Sequence, residues 1–214
     1  MRTLTLAVGE LAANCHIAFQ ERPAPDSDPI PCVAIDPGGE PERVDAVIRA
    51  RGLCLETILL THSHADHIGG VPGLLAAWPG AILACSAETS RRAGDPGLNL
   101  SLMLGQPLRV GPAGRFLADG EEFLAAGIAW RAVEIPGHDP GELVYLAQGG
   151  GLAFTGDTVF AGSVGRSDFP GGDGAALAAG VRRLLESLPP DAAILPGHGS
   201  PTSAGRELAT NPFL

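Results

Sequence analysis

Residues 62–67 read HSHADH and hold three of the chain's six histidines plus an aspartate, directly after the apolar residues Ile58, Leu59 and Leu60. Imidazoles and carboxylates at that density suit divalent cations, which make such a crowd tolerable beside a buried strand. Side chains alternate faces in an extended segment, so His62 and His64 point to one side and can grip one ion. A turn into a helix start then swings Asp66 and His67 to an adjacent position, and the cluster reads as two half-sites. Gly69 and Gly70 follow, where the absence of Cβ lets the backbone pass close to the site.

Three more residues belong with this cluster by their setting. His138 in EIPGHDPGE, Asp157 in LAFTGDTVF and His198 in ILPGHGSPT each follow an apolar, strand-like run and sit in a Gly-rich turn. If the sheets bring these strand ends together, their imidazoles and carboxylate complete a cation site. His16 lies inside such a run and is read as an ordinary surface or hydrogen-bonded residue. No Ser-His-Asp or Cys-His pattern is present.

The elements that must position these residues are short. Strand-like runs cover 4–8, 16–19, 32–36, 55–61, 81–85, 115–118, 128–135, 143–147, 152–155 and 192–195. EPERVDAVIRARG carries Pro41 at a helix start, apolar Val44, Val47 and Ile48, and Gly52 as a stop. DGAALAAGVRRLLESL opens on Asp173, a good N-cap, and lines Leu177, Val181, Leu184 and Leu185 along one face. Residues 21–31 read as a polar hairpin loop, and 94–107 have no clear period and read as a candidate mobile lid. Strands with single helices interspersed, in two successive sets, predict an α+β sandwich of two sheets covered by helices.

The 214 residues suit a single domain over 1–214, with 45% hydrophobic and 18% charged residues. No basic head precedes a long apolar run and no stretch reaches membrane-spanning length, so the expectation is a cytoplasmic protein with no membrane partner. Cys15, Cys32, Cys54 and Cys85 form no CxxC pair and read as thiols in a reducing compartment. The net charge is −10 and all 14 basic residues are arginine, which argues against a nucleic acid partner. The oligomeric state is not readable.

THSHADH followed by His138, Asp157 and His198 resembles the metallo-β-lactamase superfamily. That resemblance implies a four-layer αββα sandwich with a metal site at one edge. It implies two divalent metal ions, zinc first, with iron or manganese as alternatives. His62, His64 and His138 would hold one ion, Asp66, His67 and His198 the other, and Asp157 would bridge them. Asp66 and Asp157 carry the catalytic assignment. Asp36, in AIDPG, matches an aspartate that supports a ligand imidazole from behind, while Arg166 and Asp168 would shape the substrate mouth. FTGDTVFAGSVGRSDFPGGD, PGHGSPT and NPFL are similar to the glyoxalase II-like branch, the hydroxyacylglutathione hydrolases, and closest to short bacterial members. The implied reaction is hydrolysis of a small-molecule thioester such as S-D-lactoylglutathione by a metal-bound hydroxide. Two departures stand out. Only 16 residues follow His198, so no C-terminal helical glutathione-binding domain is expected, and Glu142 replaces a second histidine of the PGHTxGH pattern and is not counted as a ligand. Two alternatives remain: a one-iron persulfide dioxygenase, suggested by GRSDF, and a lactonase or other ester hydrolase on the same fold.

Overall fold

Alternation along the strands gives each sheet two apolar faces, and covering all four faces requires four layers. In the computed structural model, which describes residues 1–21 and 28–214, the first sheet runs in the order β1 (Arg2–Val8), β2 (Ala13–Phe19), β3 (Ile30–Ile35), β4 (Leu53–Leu59), β5 (Ile82–Cys85) and β6 (Arg115–Phe116). The second contains β7 (Glu122–Ala125), β8 (Ile128–Glu134), β9 (Leu143–Ala147), β10 (Leu152–Gly156), β13 (Ala193–Pro196) and β14 (Thr202–Ser203), in spatial order β14-β13-β10-β9-β8-β7. A small hairpin pairs β11 (Val159–Phe160) with β12 (Ser163–Val164). The hairpin loop expected over 21–31 falls largely outside the described residues.

Three apolar clusters separate the layers. Ile35, Leu59, Trp130, Tyr145 and Phe154 lie between the sheets. On the outer face of the first sheet, Ile17, Ala34 and Ile58 meet Val44 and Ile48 of α1 (Pro41–Ala50) and Val71 and Leu74 of α3 (Val71–Ala77). On the outer face of the second, Val144, Leu146 and Ile194 meet Leu177, Val181, Leu184 and Leu185 of α5 (Gly174–Ser187). The strand β9 shows the logic: Leu143, Tyr145 and Ala147 face inward, while Val144 and Leu146 face α5. The expected αββα architecture is the one observed.

The two anticipated helices form where their caps put them, with Pro41 in the first turn of α1 and the Asp173 carboxylate accepting from the amides of Ala175 and Ala176 at 3.0 Å. Three short helices have weaker local signals: α2 (Ala65–Ile68), α4 (Ala87–Ala93) and α6 (Ala204–Thr210). No helix among the described residues is long and apolar enough to cross a membrane. All four cysteines are free thiols; Cys15, Cys32 and Cys85 are buried, and burial pushes Cys32 and Cys85 up to about 12.

Strand direction decides where the turns gather. β9 is antiparallel to both β8 and β10, and β10 is parallel to β13. Hence β8, β10 and β13 run the same way, and the turns carrying His138, Asp157 and His198 leave one edge of the sheet. His16 lies inside β2, 3% exposed, its Nε2–H donating to the Pro196 carbonyl at 3.1 Å and its Nδ1 accepting from Thr5 Oγ1 at 3.0 Å. Burial pulls its pKa down to about 4. The imidazole is neutral when folded and protonates near pH 6.5 when unfolded, so its stabilising share is complete above that pH and is lost as pH falls towards 4. Between pH 7 and pH 5 a His16→Gln variant should lose about 2 kcal/mol less unfolding free energy than the parent protein. Urea titrations at the two pH values measure it, and equal losses would overturn the assignment.

Candidate metal centre

Asp36 follows β3 in the left-handed conformation, φ 49°, which an aspartate tolerates better than most residues. There its Oδ1 accepts from the Thr61 amide at 2.8 Å, and its Oδ2 accepts from Thr61 Oγ1 at 2.5 Å and His67 Nδ1 at 3.0 Å. With its proton given to Asp36, the Thr61 hydroxyl accepts from His62 Nδ1 at 3.0 Å. On the opposite sheet His138 Nδ1 donates to the carbonyl of Arg166 at 2.7 Å. Each Nδ1 bond fixes a tautomer and leaves an Nε2 lone pair pointing away from its support.

Those lone pairs converge. Ligand atoms of His62, His64 and His138 lie within 4.8 Å of one another, all three residues are buried, and none of the three Nε2 atoms has a hydrogen-bond partner. Ligand atoms of Asp66, His67 and His198 form a second trio within the same distance. In it, Nε2 of His67 and Nε2 of His198 stand 3.3 Å apart, and His198 Nε2 is 3.1 Å from Asp66 Oδ2. Asp157 lies between the trios: one oxygen is 3.3 Å from His67 Nε2, the other 3.6 Å from His138 Nε2 and 3.8 Å from His198 Nε2. The third grouping, Asp36 with His62 and His67, has its Nδ1 protons already committed and acts as support.

Orphaned, buried nitrogens in a group of three are costly without a cation. Burial holds His62 well below its ordinary pKa, with the other imidazoles adding to the effect, and burial together with His138 lowers His64 to about 4. Both are therefore neutral at pH 7, the form that donates a lone pair to a metal. Burial opposes ionisation of Asp66, but the hydrogen bond from His198 and the charge of His67 bring its carboxyl below the usual range. Burial also disfavours a charged His67, and the Asp157 and Asp36 carboxylates outweigh it. The donor set, imidazole and carboxylate without thiolate, fits zinc, iron or manganese.

A cavity of about 510 Å³ opens onto this edge, and His64, Asp66, His138, Asp157 and His198 reach its wall. A larger concavity of about 850 Å³, lined by Arg115, Trp130, Arg131 and Leu188 among others, carries no such trio; the smaller one is where chemistry can occur.

Residues 31–198 match the family model of the metallo-beta-lactamase superfamily. The chain belongs to that superfamily. It is 35% identical over 190 residues to the hydroxyacylglutathione hydrolase GloC of Haemophilus influenzae, covering 84% of this chain and 85% of that protein, which supports the glyoxalase II-like branch. Among solved structures it is similar to the BLEG-1 B3 metallo-beta-lactamase, at 30% identity and TM-score 0.91 over 100% of this chain and 99% of the other. It is also similar to TTHA1623 in a di-iron-bound form, at 35% identity and TM-score 0.83, covering 99% of this chain and 100% of the other.

Three further residues of this superfamily member support the site: Arg92 and Asp139, which did not stand out in the sequence, and Glu142, noted there only as a departure from the histidine pattern. Arg92 and Asp139 are almost fully buried and pair at 2.7 Å. Asp139 Oδ2 accepts from the amide and hydroxyl of Ser63, the residue between His62 and His64, and Arg92 also reaches the carbonyls of Leu98 and Pro170. Glu142 is fully buried; its Oε1 accepts from the Asp157 amide at 2.9 Å, and burial beside Asp157 pushes its pKa well above the ordinary carboxylate value.

Other expectations need adjusting. Gly69 and Gly70 pack against the backbone carbonyls of Gly38 and Pro37, so their missing Cβ serves loop packing behind the site. Two glycines face the centre: at Gly197 a Cβ would collide with the Asp157 carboxylate and the His67 ring, and at Gly165 with the Asp157 backbone and His138 Nδ1. Arg166 lines the cavity with a side chain forked onto Asp168, and Asp168 itself is exposed.

Replacing Arg92 by alanine leaves the buried Asp139 carboxylate without its cation. The expected cost is about 3–5 kcal/mol of unfolding free energy, measured by urea denaturation. A change under about 1 kcal/mol would show that the pair does not brace the HSH segment.

Proposed function

We propose that this metallo-β-lactamase superfamily chain is a metal-dependent hydrolase that cleaves small-molecule thioesters of the S-D-lactoylglutathione type. The observation that carries the reading is the convergence of three buried, partnerless Nε2 atoms beside a second His/Asp trio, with Asp157 in reach of both. In this reading His62, His64 and His138 would hold one divalent cation and Asp66, His67 and His198 a second, with Asp157 within reach of both trios. The similarity to GloC supports the substrate class, and the di-iron form of TTHA1623 supports two ions, with zinc, iron and manganese all compatible with the donors.

Bound divalent cations supply Lewis acidity, lowering the pKa of water towards neutrality and polarising a carbonyl. The chain's own groups do the positioning. Asp36, through Thr61 and His67, orients two imidazoles, and the Arg166 carbonyl orients His138. Asp66 and Asp157, both held as carboxylates, accept hydrogen bonds from a water in the cavity and keep its oxygen aimed at the substrate carbonyl. A thiolate leaves readily, since thiol pKa values lie near 8.5, so no strong general acid is required. The net charge of −10 fits a small-molecule partner rather than nucleic acid.

The likeness to BLEG-1 supports a second reading, opening of a β-lactam amide. Metal analysis should return close to two ions per chain, and the protein should turn over a thioester faster than a cephalosporin, without oxygen uptake. A faster cephalosporin would favour the second reading. One iron per chain with oxygen consumption on glutathione persulfide would replace both by a dioxygenase. His67→Ala should reduce occupancy to about one ion and lower kcat/KM by orders of magnitude. Full turnover in that variant would remove the second trio from the chemistry.

A further inference from the structure

The segment after α4, a candidate lid in the sequence, is fastened to the fold by its polar side chains. Asn99 is fully buried; its side chain donates to the carbonyls of Ala93 and Leu108 at 3.0 and 2.9 Å, and its own carbonyl accepts from the amide of Ala65. Ser101 Oγ accepts from the amide of Leu108. The turns are thus fastened to the start of α2, yet Met103 is 73% exposed and Leu104 53%, and Leu11, from the turn between β1 and β2, is 51% exposed. A fastened segment that turns large apolar side chains to solvent leaves apolar surface uncovered.

That surface belongs to the cavity of the metal centre. Leu11, Leu100, Met103 and Leu104 line it together with two aromatic rings, Phe169 set edge-on to His64 and Phe160 to His198. It continues into an adjoining concavity that shares Leu11, Ala65, Asp66 and Leu104 and runs on to Pro107 and Leu108. Among the described residues, the lining holds one arginine, Arg166, and no lysine. Its guanidinium is held by Asp168 at 2.6 Å through two bonds and stacks 4.2 Å over Phe169. A charged substituent entering here finds apolar walls and an occupied arginine.

We propose that the group beside the scissile carbonyl is an uncharged, apolar chain, seated over Leu11, Met103 and Leu104, rather than a polyanionic peptide. The proposal rests on the reading of a metal-dependent thioester hydrolase above and departs from its lactoylglutathione type, because neither a lactoyl group nor glutathione offers such a chain. The chain can belong to the acyl or to the thiol side of the thioester; the chemistry that recognises it is the same.

Two series separate those sources: acetyl to octanoyl thioesters of one small neutral thiol, and acetyl thioesters of ethanethiol to octanethiol. On one series kcat/KM should rise about three- to fourfold per methylene until the groove is filled. Calorimetric affinity for the matching products, acetate to octanoate or ethanethiol to octanethiol, should follow the same slope independently of turnover. The exposed double variant Met103→Ser, Leu104→Ser should flatten both slopes. Flat slopes on both series in the parent protein, or a slope that persists in the variant, would overturn the proposal. Absence of turnover on every thioester with two ions bound counts against the hydrolase reading alone, and the affinity series then decides the apolar groove.

Discussion

One buried carboxylate carries the geometry of the centre. Asp36 sits in a backbone conformation that costs a non-glycine residue on the order of 1 kcal/mol, and it is offset by three hydrogen bonds. Through Thr61 it sets the tautomer of His62, which belongs to one trio. Through His67 Nδ1 it sets the tautomer of an imidazole in the other. Both half-sites therefore hang from a side chain that is not in the ligand trios of either, and the buried charge is tolerable because every bond it receives is short and directed.

The sandwich keeps the two halves in register. Tyr145 of the second sheet donates its hydroxyl proton to the carbonyl of Leu60, at the end of β4, and the Leu143 amide donates to the carbonyl of Thr61. Leu60 and Thr61 are thus bonded to the opposing sheet at the point where the candidate ligands begin. Since β8, β10 and β13 share a direction, their three turns face that point together. Ligands at the carboxyl ends of strands, mounted on bonded edges, are held more closely than ligands on free loops.

Much of this was legible in the sequence, because the ligand residues sit where apolar runs stop and Gly/Pro turns begin. HSHADH, the two PGH turns and the caps of α1 and α5 are local signals, and local signals survive without a structure. What escaped depends on distant partners. VPGLLAA has no side-chain cap, yet forms α3 because Val71 and Leu74 bury against the first sheet and Gly73 lies against the Pro41 ring. The two-residue strands β11, β12 and β14 are too short to show a period. Arg92 and Asp139 stand 47 positions apart and look like separate surface charges until the fold brings them together at 2.7 Å. Gly69 was assigned the right reason, close backbone approach, but the wrong neighbour.

The N-terminal hairpin also touches the last turn. Asn14 of β2 donates its amide to the carbonyl of Gly197, and its side chain bonds the carbonyls of Pro196 and Gly199, bracketing His198. These partners lie 182 and 185 positions apart in the chain. Every residue of the first trio precedes position 139, whereas the second is complete only with His198, sixty positions further on and held by a residue of the first hairpin.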